Sequence, residues 1–414
     1  MNELPIELRR AVFEQCDRGT VKALRRASSS WASIGEEYLL SPTFTTYPYQ
    51  NDRDRLDSIS KHERLSKQIQ NVCFNHGEIN EWHARHNTYF LNYMRNSEEV
   101  SEEMASAFFH YNSLKKQMEI YHINSCDADR LGPIFGRLPN LQSIEVSLMN
   151  CIFYQEHDPL VLKQIWSIPS TRRVPREATV ERFTSILLAL QSNLPTKAIT
   201  SLSHDRLPFE FFGQGQAIFA PDSTIIDKIL PVFQHLTSLK LAIDWSDRDT
   251  EHSRAKAFQT LSLFLRSTPL LRTLSLGFHG RRKLELEPLF SSFRQNAFSF
   301  AKLEDLTLKE FSSTEQELGD FLVKQKCLRR LQLGGAGDKP KHHPPCGGVW
   351  LEDGSFKGLF ERVGKEMELD VFLLQGDLLG LAHNESWELE DAVSQSGMGD
   401  APAGRHLVPV GPVF

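Results

Sequence analysis

The 414-residue chain lacks close cysteine pairs, long apolar runs and an excess of positive charge. Its six cysteines stand far apart with no CxxC spacing, which indicates free thiols rather than a disulfide framework. No apolar run approaches the length of a membrane span, and charged residues occupy the start where a signal peptide would need an apolar core. A formal charge of −6 gives no basic field for nucleic acid. These absences predict a cytosolic or nuclear protein that binds neither nucleic acid nor membrane.

Signals for catalysis and for cofactors are also missing. The sequence contains no G-x-S-x-G or HExxH motif, so it predicts no catalytic site. His342, His343 and Cys346 fall close together, but no fourth ligand stands at zinc-site spacing, and the surrounding prolines and glycines favour an exposed loop. The run from Gly334 to Lys339 lacks the spacing of a phosphate-binding loop. We therefore expect neither metal nor cofactor.

What is present begins with three short helices in residues 1–42. Pro5 suits a first helical position, Thr20 is predicted to cap the second helix, and Pro42 ends the third. Each helix carries an apolar stripe, and so short a piece cannot bury three stripes within itself. The surplus predicts a partner helix, for which the candidate contacts are Leu4, Pro5, Leu8, Val12, Phe13, Leu24 and Trp31.

The same residues carry a family resemblance. The module resembles an F-box in its Leu4-Pro5-x-Glu7-Leu8 start, its Val12-Phe13 pair, the run from Leu24 to Ser28, and Trp31. It differs at Cys16, where that family more often has an aliphatic residue. The resemblance implies a non-catalytic substrate-receptor subunit of an SCF-type ubiquitin ligase, which docks on a Skp-type adaptor and through it on a cullin scaffold. The alternative is an unrelated helical hairpin that caps the next domain.

An apolar triplet spaced L-x-x-L-x-L recurs through the rest of the chain. The clearest copies begin at Leu236, Leu271, Leu303 and Leu328, and weaker ones begin at Ile69, Leu141 and Leu369, with a degenerate Ile199-x-x-Leu202 between them. Segments with helical periodicity separate the triplets, and one of them opens with a Thr314–Glu317 capping box. A strand followed by a helix, repeated many times, predicts parallel strands.

This pattern predicts an α/β fold in which stacked units form an irregular solenoid, and it resembles the leucine-rich-repeat family. The units are uneven and lack the usual Asn or Cys after the strand, so an ordinary open α/β sheet is the alternative. The order of F-box, linker and irregular repeats resembles a large F-box group of filamentous fungi. We predict an F-box module at 1–42, a polar linker at 43–58, the solenoid at 59–388 and a disordered tail at 389–414.

The repeat geometry also predicts where a protein substrate binds. The loops that leave the carboxyl ends of parallel strands share one edge of the sheet, and that edge commonly holds ligands. These loops are rich in aromatic residues and arginine, which are enriched at interface hot spots. The predicted substrate-binding residues are Trp245, Arg248, Phe278, Arg281, Arg282, Phe311 and Trp350.

Two functions from different classes follow. The favoured one is the ligase substrate receptor, whose protein substrate cannot be identified from the sequence. The alternative is a repeat scaffold for protein interactions with no ligase role, and co-purification with a Skp-type adaptor distinguishes the two. An enzyme on an α/β sheet is a third class, which would need a convergent polar pocket.

Overall fold

The computed structural model describes residues 4–86, 99–125, 127–155, 158–194, 198–213, 224–245, 250–280, 282–336 and 347–394. These residues form α-helices joined to two sheets. The helices are α1 (Ile6–Glu14), α2 (Arg18–Arg25), α3 (Ser29–Gly35), α4 (Asp52–Ser60), α5 (Glu81–His86), α6 (Glu99–Ser125), α7 (Ala128–Gly136), α8 (Leu160–Ser167), α9 (Arg176–Gln191), α10 (Glu210–Gly213), α11 (Thr224–Phe233), α12 (Glu251–Arg266), α13 (Glu287–Gln295), α14 (Glu315–Val323) and α15 (Phe356–Glu366).

The strands alternate with these helices along most of the chain. They are β1 (Thr43–Thr46), β2 (Asn71–Asn75), β3 (Glu78–Ile79), β4 (Ser143–Ser147), β5 (Arg172–Arg173), β6 (Ser201–Pro208), β7 (Ser238–Asp244), β8 (Thr273–His279), β9 (Leu284–Glu285), β10 (Asp305–Lys309), β11 (Phe311–Ser313), β12 (Arg330–Gly334), β13 (Val349–Leu351), β14 (Val371–Gly380) and β15 (Glu385–Ser394).

The main sheet has 13 strands, and its principal path runs β1-β2-β4-β6-β7-β8-β10-β12-β14. Each neighbouring pair on this path is parallel and follows chain order. Triplet residues face one another across the ladder, for example Leu239 with Leu274 and Leu306 with Leu331. The predicted α/β class, the parallel pairing and the strand order are therefore confirmed.

The degenerate triplet that begins at Ile199 has a histidine in its third place. His204 pairs with Val146 on one side and with Leu241 on the other, so it occupies an apolar position of the ladder. Its side chain is buried. The histidine makes this copy degenerate in the sequence, although the backbone keeps the common register.

Residues 43–58, predicted as a linker, are instead part of the folded sheet region. Thr43–Thr46 form the edge strand β1, and residues 52–58 belong to α4, whose Leu56 is fully buried in the main core. The polar composition misled the prediction because α4 buries only one side. At the other end, β15 continues to Ser394, past the predicted boundary of the tail at 389, and the rest of that tail lies outside the described residues.

A second, shorter ladder runs β9-β11-β13 and joins the carboxyl half of β14. It arises because each strand of this region breaks and resumes: β8 continues into β9, β10 into β11 and β12 into β13. The breaks require unusual backbone angles, with φ of 59° at Glu310, 82° at Gly334 and 89° at Gly376. The two ladders share one continuous apolar core with α4, α7 and α9 to α15.

The chain leaves the ends of β2 and β4 to build a separate lobe, which the sequence did not predict. This inserted lobe comprises the described residues of 76–125 and 148–173, with α5, α6, α8 and the antiparallel pair β3–β5. Its own core is distinct from the main core and comprises Tyr49, Ile79, Ala84, Ala107, Phe108, Tyr111, Leu114, Met118, Ile152, Phe153, Val161, Leu162, Ile165 and Trp166.

Candidate interaction surfaces

The first helix presents an apolar stripe to solvent. Pro5, Leu8 and Val12 stand three and four residues apart, which places them on one side of α1. Leu8 is 53% exposed and Val12 38% exposed, and Pro5 is also exposed. We call these three residues the α1 stripe. We treat these neighbouring exposed apolar residues as a candidate interaction surface.

Two other members of the predicted adaptor-binding set lie inside the helical module. Phe13 and Trp31 are buried with Val21 and Ile34, and the rings of Phe13 and Trp31 lie 5.4 Å apart. They hold α1 to α3, so they support the α1 stripe from behind rather than reach a partner. The remaining two members, Leu4 and Leu24, are partly buried against the same small core.

Polar contacts attach the helical module to the region that follows it. Glu36 pairs with Arg64 at 3.2 Å, and its backbone oxygen accepts a hydrogen bond from Gln68 at 2.7 Å. Within the module, Asp17 caps α2 by accepting the backbone N–H of Thr20. The prediction that Thr20 itself is the cap was therefore wrong by three positions.

Most described members of the predicted substrate-binding set are not on the surface. Phe278 and Phe311 are fully buried in β8 and β11, and Trp245 is buried at the end of β7. β8 continues beside β7 as far as His279, and Phe311 belongs to β11 of the second ladder, so both phenylalanine rings enter the core. Arg282 is exposed, whereas Arg248 and Arg281 lie outside the described residues. The structure therefore does not gather the described members into one exposed patch.

Trp350, the remaining member, belongs to a polar cluster between the two ladders. Its Nε1 donates to Asp377 at 2.8 Å, and Lys283 donates to the same carboxylate at 3.0 Å. Lys283 also donates to the backbone oxygen of Gly348 at 3.2 Å, and the Gly348 N–H donates back to Asp377 at 2.9 Å. The mutual pairing of these groups indicates a structural clamp.

A second polar cluster closes the ends of β6 and β7. The Arg176 guanidinium contacts the carboxylates of Glu210 and Asp244, at 2.5 Å and 2.6 Å. Arg206 approaches Asp244 at 3.5 Å. Four charges that satisfy one another at a sheet edge fix the loops there and leave no single charge aimed at a ligand.

A cavity of about 200 Å³ opens beyond the ends of β1 and β2. Asp52, Tyr47, Asn75 and Tyr121 are among its lining residues. Burial raises the pKa of Asp52, but its carboxylate accepts the Tyr47 N–H at 2.8 Å and an Arg55 N–H at 3.0 Å. The acid at this cavity therefore supports the turn after β1.

The inserted lobe carries a larger groove of about 530 Å³ between β3–β5, α5 and α6. Tyr111 and Met118 of α6 are buried along it, whereas Trp82 of α5 is 65% exposed. We call this the lobe groove; its lining residues are Glu78, Ile79, Asn80, Glu81, Trp82, Tyr111, Lys115, Met118, Glu119 and Arg173. Nothing in the leucine spacing pointed to it, although the Trp82–His83 pair beside charged residues was a visible composition signal.

Within the described ranges, no group of three or more His, Cys, Asp or Glu residues is placed to hold a metal ion. The His342, His343 and Cys346 cluster lies outside those ranges. Among the described helices, none is both long and apolar enough to cross a bilayer. Four cysteines, Cys16, Cys73, Cys151 and Cys327, are free thiols.

Comparison with known proteins gives no relative from which to transfer a role. No protein-family model matches the chain, and no curated protein sequence matches it. The functional argument therefore rests on the exposed α1 stripe, and the lobe groove is a second candidate surface.

Proposed function

We propose that the chain is the non-catalytic substrate-receptor subunit of an SCF-type ubiquitin ligase. In this proposal the N-terminal module is an F-box that binds a Skp-type adaptor, and through it a cullin scaffold. The strand-and-helix repeats form a leucine-rich-repeat solenoid that presents a protein substrate. The complex acts in the cytoplasm or the nucleus. The observation that carries the proposal is the exposed α1 stripe on a module too small to bury it.

Within the module, different residues form the internal core and the exposed stripe, which supports a docking role. Phe13 and Trp31 supply the internal contact, which frees Leu8 and Val12 for a partner. Covering two aliphatic side chains of this size is worth about 1.5–3 kcal/mol for each when burial is complete. The polar attachment through Glu36 holds the module in place without using the stripe.

The test is adaptor binding by paired variants of one helix. Replacing Leu8 and Val12 together with Ala removes the stripe, whereas Ile6→Ala removes a side chain that is 42% exposed and lies outside it. We expect the double variant to weaken binding to a purified Skp-type adaptor roughly 30-fold or more, which corresponds to about 2 kcal/mol. Isothermal titration calorimetry measures the affinity, and circular dichroism checks that the module stays folded.

The control distinguishes specific binding through the α1 stripe from nonspecific hydrophobic association. Ile6→Ala is expected to change the affinity less than threefold. If the double variant binds the adaptor as tightly as the unchanged protein, the F-box assignment fails. In that case the alternative, a repeat scaffold with no ligase role, becomes the better description, because the parallel sheet alone fits either function.

A further inference from the structure

The lobe groove has the construction of a binding site. Its floor is fixed from two sides, because the Tyr111 hydroxyl accepts the Ile79 N–H at 3.0 Å and Lys115 pairs with Glu81 at 2.9 Å. These contacts tie β3 and α5 to α6, so the groove keeps its shape without an occupant. A volume of about 530 Å³ lies within the usual range of ligand sites.

One wall of the groove is an exposed tryptophan. Trp82 is 65% exposed, whereas Trp166 and Phe153 of the same lobe are buried. Tryptophan is the residue most enriched at interface hot spots, and its ring face attracts cations more strongly than that of any other side chain. An exposed indole that lines a groove beside carboxylates suits a side chain that combines a hydrocarbon stem with a positive head.

The charges along the groove select the same kind of side chain. Lys115 is engaged by Glu81, and Arg173 approaches Glu78 at 4.0 Å. Glu119 is exposed and makes no ion pair with any residue that the structure describes, which leaves a negative charge at the rim. The chain as a whole carries a formal charge of −6, which disfavours acidic segments and nucleic acid.

We propose that the lobe groove binds an extended segment of a protein partner through a lysine or arginine side chain. The hydrocarbon stem lies against the Trp82 ring, and the cationic head reaches Glu119. The position fits this role, because the lobe is built from the two segments that leave the carboxyl ends of β2 and β4. Naming the bound segment a ligase substrate rests on the proposed function; the groove's preference for a cation does not.

The experiment uses the full-length protein and arrays of twelve-residue peptides of random sequence. The central residue is fixed as Lys, Arg, norleucine or Glu. Norleucine has a hydrocarbon chain without the positive charge, so the comparison with Lys isolates the contribution of the charge to binding. We expect peptides centred on Lys or Arg to be retained about tenfold better than those centred on norleucine, and Glu-centred peptides to be the weakest. Equal retention of the Lys and norleucine sets overturns the proposal.

Matched variants locate the effect. Trp82→Ala is expected to remove the preference for Lys and Arg, and Glu119→Lys to reverse it. Phe109→Ala removes an aromatic that is 80% exposed on α6 but does not line the groove, and Glu361→Lys reverses a charge 70% exposed on α15. Both controls are expected to bind like the unchanged protein. Retention of the preference in Trp82→Ala overturns the proposal.

Two further readouts separate the possible outcomes. N-acetyl-lysine amide competes with the peptides; if it displaces them at equal concentration, the groove holds a free cation and the protein-segment proposal fails. Adaptor affinity is measured on the same variants. Loss of the Lys preference with adaptor binding intact supports the groove, whereas peptide binding without any adaptor binding leaves the groove standing and removes only the ligase role.

Discussion

The two halves of the sheet treat the end of each strand differently. In the later half, β8, β10 and β12 end and are followed by β9, β11 and β13, which pair with one another and with β14 as the second ladder. At β2 and β4 the chain instead departs into the inserted lobe, which has its own core. Phe311, in β11 of the second ladder, is buried, whereas Trp82, in the segment that leaves β2, is exposed.

The contrast explains which surface is available for binding. Phe278 lies in β8 and Phe311 in β11. Both strands pair with neighbours on either side, and both rings are fully buried. Trp82 belongs to a departing segment and is 65% exposed. Phe311 and Trp82 both follow a parallel strand, β10 and β2 respectively, so position along the chain does not distinguish them. The path of the chain after the strand does.

The largest expected effect comes from truncating the shared core. Leu306 lies in β10 between β8 and β12 and is fully buried. Leu306→Ala is expected to lower the free energy of unfolding by about 3 kcal/mol, since buried leucine truncations cost roughly 2–5 kcal/mol. Urea denaturation measures the loss, and amide exchange should accelerate throughout β7 to β12.

The matched change in the lobe sharpens the comparison. Leu162 is equally buried, but it belongs to the separate core of the inserted lobe. Leu162→Ala should accelerate amide exchange in α6 and α8 while β10 and β12 stay protected, because cooperative units open separately. If β10 loses protection to the same extent as α8, the two cores unfold as one unit and the distinction between the halves is wrong.

A smaller effect is expected at the strand breaks. Gly277 and Gly334 stand at equivalent ladder positions, since Gly277 pairs with Lys309 and Gly334 pairs with Gln375. Gly334 has a φ of 82°, and a Cβ there would lie 1.9 Å from the Gln375 oxygen. Gly334→Ala is therefore expected to cost about 2 kcal/mol or more, combining left-handed strain with a backbone clash.

The control at the equivalent position has no such constraint. A Cβ at Gly277 would have its nearest neighbour, Lys309 Cβ, at 3.8 Å, which is an ordinary contact. Gly277→Ala is expected to leave the free energy of unfolding unchanged or to raise it by up to about 1 kcal/mol, because alanine loses less chain entropy than glycine when it is fixed in a strand. Equal urea midpoints for the two variants would show that the strand break is not sterically required.

The sequence was informative where one physical rule dominated. Alternating buried leucines follow from the two-residue period of strands, so the positions of β7, β8, β10 and β12 could be predicted, as could the Thr314 cap of α14, which accepts the Glu317 N–H. The break at Glu310 could not, because a left-handed glutamate has no sequence signature; it is held by the Gly348 oxygen and by His279.

The lobe and its groove were beyond prediction for a different reason. Their residues meet through contacts between distant segments, such as Tyr49 donating to the Ile152 oxygen at 2.5 Å and Glu78 pairing with Arg173 across β3 and β5. No local period encodes such contacts. The α1 stripe is a similar case, because the division between Leu8 outside and Phe13 inside depends on packing rather than on a local period.

The smallest expected effect concerns pH and the repeat that carries His204. Burial lowers the pKa of His204 to about 3, and its surroundings include the Phe183 ring at 5.0 Å. When the pH falls below about 6.5, the ordinary pKa of histidine, His204 becomes protonated in the unfolded chain but stays neutral in the folded chain. Stability from this group is therefore fully present well above pH 6.5 and falls as the pH decreases toward 3, and roughly 1 kcal/mol is lost between pH 7.5 and pH 6.

His204→Leu removes this dependence and gives the repeat the leucine of its neighbour Leu241. The free energy of unfolding, measured by urea at pH 7.5 and pH 6, is expected to fall less in the variant than in the unchanged protein. Burial raises the pKa of Asp52 and Asp205, which contributes pH dependence of the opposite sign, but both acids are present in each protein and cancel in the difference. An identical pH dependence in the two proteins would mean that His204 becomes protonated in the folded state, and that this repeat is less tightly closed than the leucine repeats beside it.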